Sequence, residues 1–203
     1  MATRYRDVAT TPSVAAVQQV CAGWHYKPTP EGERQRDRLT RTERDFIEAR
    51  DSFYMATVSE TGWPYVQHRG GPKGFLRVLD ATSLAFADYR GNQHYVSTGN
   101  LMVNNRASLL LMDYPRRRRL KIYASITLVS PRDDGELLER VLIPEYHARI
   151  ERIMVLRVEA FDWNCPQHIA PRYTIEELEH HTAALHRRVE ELERMINGAG
   201  GER

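Results

Sequence analysis

The stretch Gln67-His68-Arg69-Gly70-Gly71-Pro72-Lys73-Gly74-Phe75 holds the densest set of residues able to do chemistry. Two basic side chains, Arg69 and Lys73, and the titratable His68 fall beside three glycines. Glycine permits a sharp turn and lets a ligand approach the backbone amides closely. Arginine and lysine supply positive charge for a phosphate. The segment is therefore a candidate phosphate cradle. It lacks the spacing of a P-loop or of a dinucleotide fingerprint, and on local evidence an ordinary hairpin loop with solvated charges is the reading it favours.

Other constellations offer other chemistry. Asn164-Cys165-Pro166-Gln167-His168 combines amide donors and acceptors with an imidazole, a set able to bind a carbonyl or pass a proton. Its alternative is a turn stiffened by Pro166. Cys165 has His168 close in sequence, as a thiol nucleophile needs, but no third group to orient the base. Arg116 to Arg119 could grip nucleic-acid phosphates, yet no aromatic residues interleave, so a solvated turn fits better. His180-His181 near Glu176 and Glu177 could chelate a metal at helical spacing. On an exposed helix such residues are solvated, and no metal is expected. No nucleophile elbow is present.

Composition narrows the class. The chain has 203 residues, 41% hydrophobic and 28% charged, which suits one domain with appendages. A formal net charge of +2 is too small to argue for nucleic acid. Two cysteines, Cys21 and Cys165, show neither a disulfide framework nor metal spacing, so a reducing cytoplasm is the expected home. The first ten residues hold no apolar signal core, and no uncharged apolar run is long enough to span a bilayer.

The elements that must position these residues follow from pattern. Residues 1–11 are polar and expected to be loose. Thr11 and Pro12 begin a short helix that puts Val14, Val17 and Val20 on one face. Residues 22–38 read as a linker or wrapped arm. Thr40 and Glu43 form a capping box for a helix to about Arg50. Strands are expected over Phe53–Ser59, from Trp63 to His68, from Phe75 to Leu79 and from Leu84 to Ala87. A polar loop from Asp88 to Asn100 has a short helix near Gln93 to Ser97. Strands then span Ala107 to Tyr114 and Leu120 to Val129, a helix Glu136 to Ile143, and a last strand Ile153 to Phe161. Short connections and few crossover helices suggest an antiparallel barrel of about six strands. In the tail, Ile175, Thr182, Val189 and Ile196 recur every seven residues, as do Leu178, Leu185 and Leu192, the a and d positions of a coiled coil. The expected division is an arm over 1–39, a barrel over 40–172 and a coiled-coil-like helix over 173–203.

In this order, several motifs resemble the pyridoxamine 5'-phosphate oxidase-related family, and within it a bacterial branch of FMN-binding split-barrel proteins. They are Gln67-His68-Arg69-Gly70-Gly71-Pro72, Leu84-Ala85-Phe86-Ala87-Asp88, Gly91-Asn92, Ser97-Thr98-Gly99-Asn100-Leu101, Leu111-Met112-Asp113-Tyr114, Arg118-Arg119-Leu120-Lys121-Ile122 and Asn164-Cys165-Pro166-Gln167-His168-Ile169. The resemblance implies a mainly β fold with flanking helices: a six-stranded antiparallel split barrel, a homodimer, and FMN at the subunit interface. It places Gln67, His68, Arg69 and Gly70 at the flavin phosphate and ring. Phe86, Ala87 and Asp88 would face the ring through their backbone, and Asn92, Gln93 and Ser97 would bind phosphate. Lys121, with the segment containing Asn164, Gln167 and His168, would come from the other subunit. Phe161 or Trp163 would supply an aromatic beside the ring.

The chain departs from the oxidase itself in two places. Asn92 and Gln93 stand where the oxidase has an Arg/Lys pair, and Pro166-Gln167-His168 replaces its substrate-binding Arg-x-His. Pyridoxamine phosphate is therefore not the expected substrate. The implied function is an FMN-dependent oxidoreductase for an unidentified small molecule, with NAD(P)H or a reductase as electron donor and His168 as candidate catalytic group. The alternative is a non-catalytic flavin-binding dimer, or a haem-binding one through His68 or His168, whose tail recruits a partner. Neither nucleic acid nor membrane is an expected partner.

Overall fold

The computed structural model describes residues 3–163 and 166–199. Asn164 and Cys165, and the side chains of His180 and His181, lie outside the described residues. The chain divides into two compact units, Met1–Asp113 with Arg118–Pro166, and Tyr114–Arg117 with Gln167–Arg203.

The first unit is built on one antiparallel sheet. Its strands are β1 (Ser52–Val58), β2 (Pro64–Gly70), β3 (Arg77–Asp80), β4 (Ser83–Tyr89), β5 (Arg106–Asp113), β6 (Arg118–Val129) and β7 (Ile150–Trp163). They lie in the order β2-β1-β5-β6-β7-β4-β3. The sheet has seven strands where about six were expected for the barrel, and each of the seven segments read as extended supplies one. The shortest is the four-residue β3, which pairs with β4 across a register shift between Val78 and Asp80. Phe75 and Leu76, read from sequence as part of this strand, are instead buried just before it. Alternation of period two decides what goes inside. Leu109 and Leu111 of β5, and Leu120, Ile122, Ala124 and Ile126 of β6, point into the core while their neighbours face outward. Phe53 stacks on Phe75 at 5.5 Å, and Phe86 meets both rings edge-on. Full burial of each such side chain stabilises the fold by roughly 1.5–3 kcal/mol.

Helices flank the sheet: α1 (Thr3–Ala9), α2 (Pro12–Ala22), α3 (Arg41–Glu48), α4 (Val96–Val103) and α5 (Gly135–Val141). Residues 1–11, expected to be loose, contain α1. Tyr5 stacks on Tyr123 at 4.8 Å, and Arg4 pairs with Glu159 at 2.5 Å. Two tertiary contacts thus order a segment whose local sequence is merely polar. Of the two readings of the segment that follows, linker or wrapped arm, the contacts fit the second: Arg36 also pairs with Glu159, at 2.7 Å, and the Phe161 amide donates to Asp37 at 3.0 Å. Thr11 caps α2 as expected, but α2 buries no residue, and Val17 and Val20 are exposed. The capping box of α3 forms, with the Thr40 amide donating to Glu43 at 2.9 Å. The other Glu43 carboxylate oxygen accepts from the Trp163 indole at 2.8 Å. One side chain therefore caps a helix and ties it to the end of β7.

The second unit contains α6 (Ile175–Ala199), also started by a reciprocal cap. The Thr174 amide donates to Glu177 at 2.9 Å, and the Glu177 amide to the Thr174 hydroxyl at 3.1 Å. Arg172 lies over the Tyr114 ring at 5.0 Å. Among the described residues, no helix is long and apolar enough to cross a membrane.

Candidate functional site

The strand β2 separates the residues of the opening stretch by face. Gln67 and Arg69 point one way, while His68 is exposed and lies edge-on to Tyr54 at 5.7 Å on the other. Gln67 and Arg69 line a cleft with Asp88 at the end of β4, Asn92 and Gln93 of the following loop, and Ser97 of α4. Six residues singled out from the sequence therefore meet there.

The glycines of that stretch have another role. The Gly71 amide donates to the Asp51 carbonyl at 2.9 Å, and the Gly74 amide to the Arg50 carbonyl at 3.0 Å. Those amides are already used by the backbone. A Cβ on Gly71 would lie 2.9 Å from the Phe75 ring, and Gly74 has φ +78°. The glycines let the chain turn tightly over Phe75, as in the hairpin-loop reading; the polar groups of the cleft come from elsewhere.

Charge in the cleft is arranged around Asp88. Its buried carboxylate accepts from Arg69 at 2.5 Å and from Arg152 at 2.7 Å. Arg152 also donates to the Thr98 hydroxyl at 2.9 Å and pairs with Glu151 at 3.3 Å. Burial lowers the proton affinity of Arg69, and Asp88 opposes this; a guanidinium stays charged at neutral pH. The Nε of Arg69 is buried and has no hydrogen-bond partner. A buried donor left unpaired is costly, a cost that an acceptor reaching this atom would relieve.

The start of α4 lines the same cleft. Its N-cap, Tyr95, sits at φ 50° and provides no side-chain cap. Gln93 too has positive φ, 61°. These two left-handed residues delay the helix to Val96, later than the sequence suggested. The α4 amides at this end lack a capping side chain and carry the positive end of the helix dipole. Ser97 donates to Gln67 at 2.9 Å, and the buried Asn100 donates to Thr57 at 3.0 Å, fixing α4 against β2 and β1. A helix start without a side-chain cap, beside arginines, has the character of an anion-binding position. The cleft volume of about 30 Å³ is far below the 300–1,000 Å³ of an enclosing ligand pocket. It can anchor one end of a ligand, the rest lying outside.

The remaining predicted residues lie elsewhere. Gly70 ends β2 opposite Ser52. Phe86 is in the core, and Ala87 is buried in a second cluster with Val141 and Ile153. Lys121, on the outward face of β6, pairs with Asp162 at 2.9 Å and lies over the Tyr5 ring at 4.5 Å. Trp163 is held by Glu43, with Arg118 over its ring at 4.4 Å. Gln167 and His168 form an exposed turn in the second unit, His168 with φ 62°. Sequence reading missed Tyr65, His94, Tyr95, Thr98, Glu151 and Arg152 in the cleft. Arg152 had no local signal, because only the pairing of β4 with β7 sets it opposite Asp88.

A second cavity of about 390 Å³ is lined by Arg4, Arg36, Arg106, Tyr123 and Glu159 among others. Three guanidiniums face one carboxylate there. Burial and the Tyr5 hydroxyl push the Tyr123 phenol up to about 12, so at neutral pH it keeps its proton.

The family model described as pyridoxamine 5'-phosphate oxidase matches residues 39–181, well over half of the chain. Similar solved structures include HupZ of Group A Streptococcus, at 15% identity and a TM-score of 0.50, covering 66% of this chain and 99% of that one. A candidate pyridoxamine 5'-phosphate oxidase of Lactobacillus delbrueckii has 21% identity and a TM-score of 0.48, covering 62% and 93%. An FMN-binding protein of Syntrophomonas wolfei has 14% identity and a TM-score of 0.46, covering 60% and 83%. At these identities the HupZ similarity speaks to the fold alone, and the other two carry no argument. No curated protein sequence matches the chain.

Proposed function

The chain belongs to the pyridoxamine 5'-phosphate oxidase family, and from this premise we propose that it is an FMN-dependent oxidoreductase acting on a small molecule, with FMN held at a homodimer interface. The observation that carries this reading is the meeting, in one cleft, of an uncapped helix start with the unpartnered buried Nε of Arg69. Both want an anion, and a flavin mononucleotide ends in one. The donor set fits a phosphate: the α4 amides and the guanidinium of Arg69, which Asp88 and Arg152 hold in place. The small cleft volume fits an anchored phosphate with the ring lying outside. Bound there, the flavin would supply two-electron redox chemistry.

The chain's own residues bind and orient. Asp88 holds two guanidiniums in fixed positions, so their charge is preorganised. Gln67 and Ser97 hold each other and keep β2 against α4. Lys121 is our candidate contact from the second copy, and His168 our candidate for moving a proton to the reduced substrate.

Titration of purified protein with FMN and with riboflavin, followed by flavin fluorescence, tests the reading. We expect micromolar FMN binding and at least ten-fold weaker riboflavin binding. Equal affinities would remove the phosphate cradle, and no binding of either would remove the flavin. Oxidation of NAD(P)H by the loaded protein then separates an enzyme from a carrier.

A further inference from the structure

The 25-residue α6 carries an apolar stripe that the chain leaves uncovered. Ile175 is 78% exposed, Leu178 51%, Leu185 66%, Val189 50% and Leu192 42%. These are the a and d positions of the heptad repeat. Thr182, the remaining a residue in this span, donates its hydroxyl back to the Leu178 carbonyl at 2.9 Å, so it brings no unsatisfied polar group into a seam. The face away from the seam is charged, with Arg187 and Arg194 at f lying between Glu176 and Glu190 at b and Glu191 at c. A helix of this length with so narrow a stripe gains most from a matching helix.

We propose that α6 pairs with α6 of a second copy of this chain as a parallel, in-register, two-stranded coiled coil. Two independent features select this occupant. The first is side-chain shape. The a positions hold the β-branched Ile175, Thr182 and Val189, and the d positions Leu178, Leu185 and Leu192, the combination that in a parallel coiled coil favours two strands. The second is charge. In a parallel pair, Arg188 at g faces the partner's Glu193 at e, twice by symmetry. In an antiparallel pair with the same seam, Arg188 would face the partner's Arg188, and Glu179 the partner's Glu193. The parallel arrangement makes two attractions where the antiparallel one makes three repulsions. Within the single helix, Arg188 bonds Glu191 at 2.8 Å, but both side chains are largely exposed. Such a surface pair is weak, and the guanidinium can turn to the partner. The inference does not depend on flavin binding.

Disulfide trapping in the full chain tests it. In a Cys21→Ser, Cys165→Ser background, Leu185→Cys places a thiol in the seam at d, and Arg187→Cys places one outside it at f. Under mild oxidation, Leu185→Cys should form covalent dimers at least ten times faster than Arg187→Cys, with or without FMN. Equal rates would overturn the proposal. So would dimers that form only when Leu185→Cys is mixed with Val189→Cys, because that is the antiparallel register. As a second measurement, Leu185→Asp with Leu192→Asp should lower helicity at 222 nm while the barrel keeps its cooperative melt. Helicity unchanged by the double substitution would also overturn it.

Discussion

Asp88 is where structure and binding meet on a single side chain. It neutralises Arg69, for which the cleft offers no other acid at bonding distance, and shares Arg152 with Glu151. Asp88→Asn should therefore leave Arg69 as a buried charge without its partner and cost about 3–5 kcal/mol in urea unfolding. Arg152→Ala should cost less, because Arg69 and Asp88 remain paired. A cost below about 1 kcal/mol for Asp88→Asn would show that the trio is not a clamp. Arg69→Ala should weaken FMN binding by ten-fold or more, and unchanged FMN affinity would leave Arg69 only a structural role. Gly71 separates the two readings of the glycine-rich stretch. Gly71→Ala drives a methyl against Phe75 and should destabilise by about 1–3 kcal/mol. FMN affinity of the folded fraction should stay near that of the parent, since the Gly71 amide is spent on Asp51.

At the scale of elements, α1 is held to the barrel by ionic contacts rather than by a deep apolar face. Burial alone would raise the Glu159 carboxyl, but hydrogen bonds and charge from Arg4 and Arg36 outweigh it and hold the group below its ordinary value. The sign follows from linkage. A carboxylate with a depressed folded value stabilises the docked state at neutral pH and loses that contribution as pH falls through the folded value. Acidification below the ordinary carboxylate range should thus release α1 before the barrel unfolds. Hydrogen exchange of residues 3–9 at falling pH would register this, and Glu159→Gln should reproduce the release at neutral pH. Protection that is independent of pH would assign the docking to the Tyr5–Tyr123 stack instead. The box at α3 follows a similar logic. Thr40→Ala should cost about 1 kcal/mol, and Glu43→Ala more, because Glu43 also holds Trp163.

At the scale of the molecule, the flavin reading requires two chains. A cleft that anchors one end of a ligand leaves the remainder exposed until another surface covers it. Sedimentation of FMN-loaded protein should give twice the 23.6 kDa of one chain, about 47 kDa. A flavin-loaded monomer would contradict the interface site. Lys121→Ala should then weaken FMN binding while leaving the mass of the assembly unchanged.

Much of this fold is local information and was legible as such. Period-two alternation in β5 and β6 needs only neighbouring residues, as do the Thr40–Glu43 box and the seven-residue repeat of the tail. The ordered motifs also carried the family, and part of the cleft with it: Gln67, Arg69, Asp88, Asn92, Gln93 and Ser97. What the tertiary structure decided is whatever depends on residues far apart in the chain. Arg152 joins Asp88 because β4 pairs with β7, 64 residues away. The polar start of the chain is helical because Tyr123 and Glu159 meet it. The glycines beside Arg69 serve a turn over Phe75, because the carbonyls of Arg50 and Asp51 reach their amides first. Residue types suggested a phosphate cradle at the glycines; only the packing of β2, β4 and α4 determined which polar groups line the cleft.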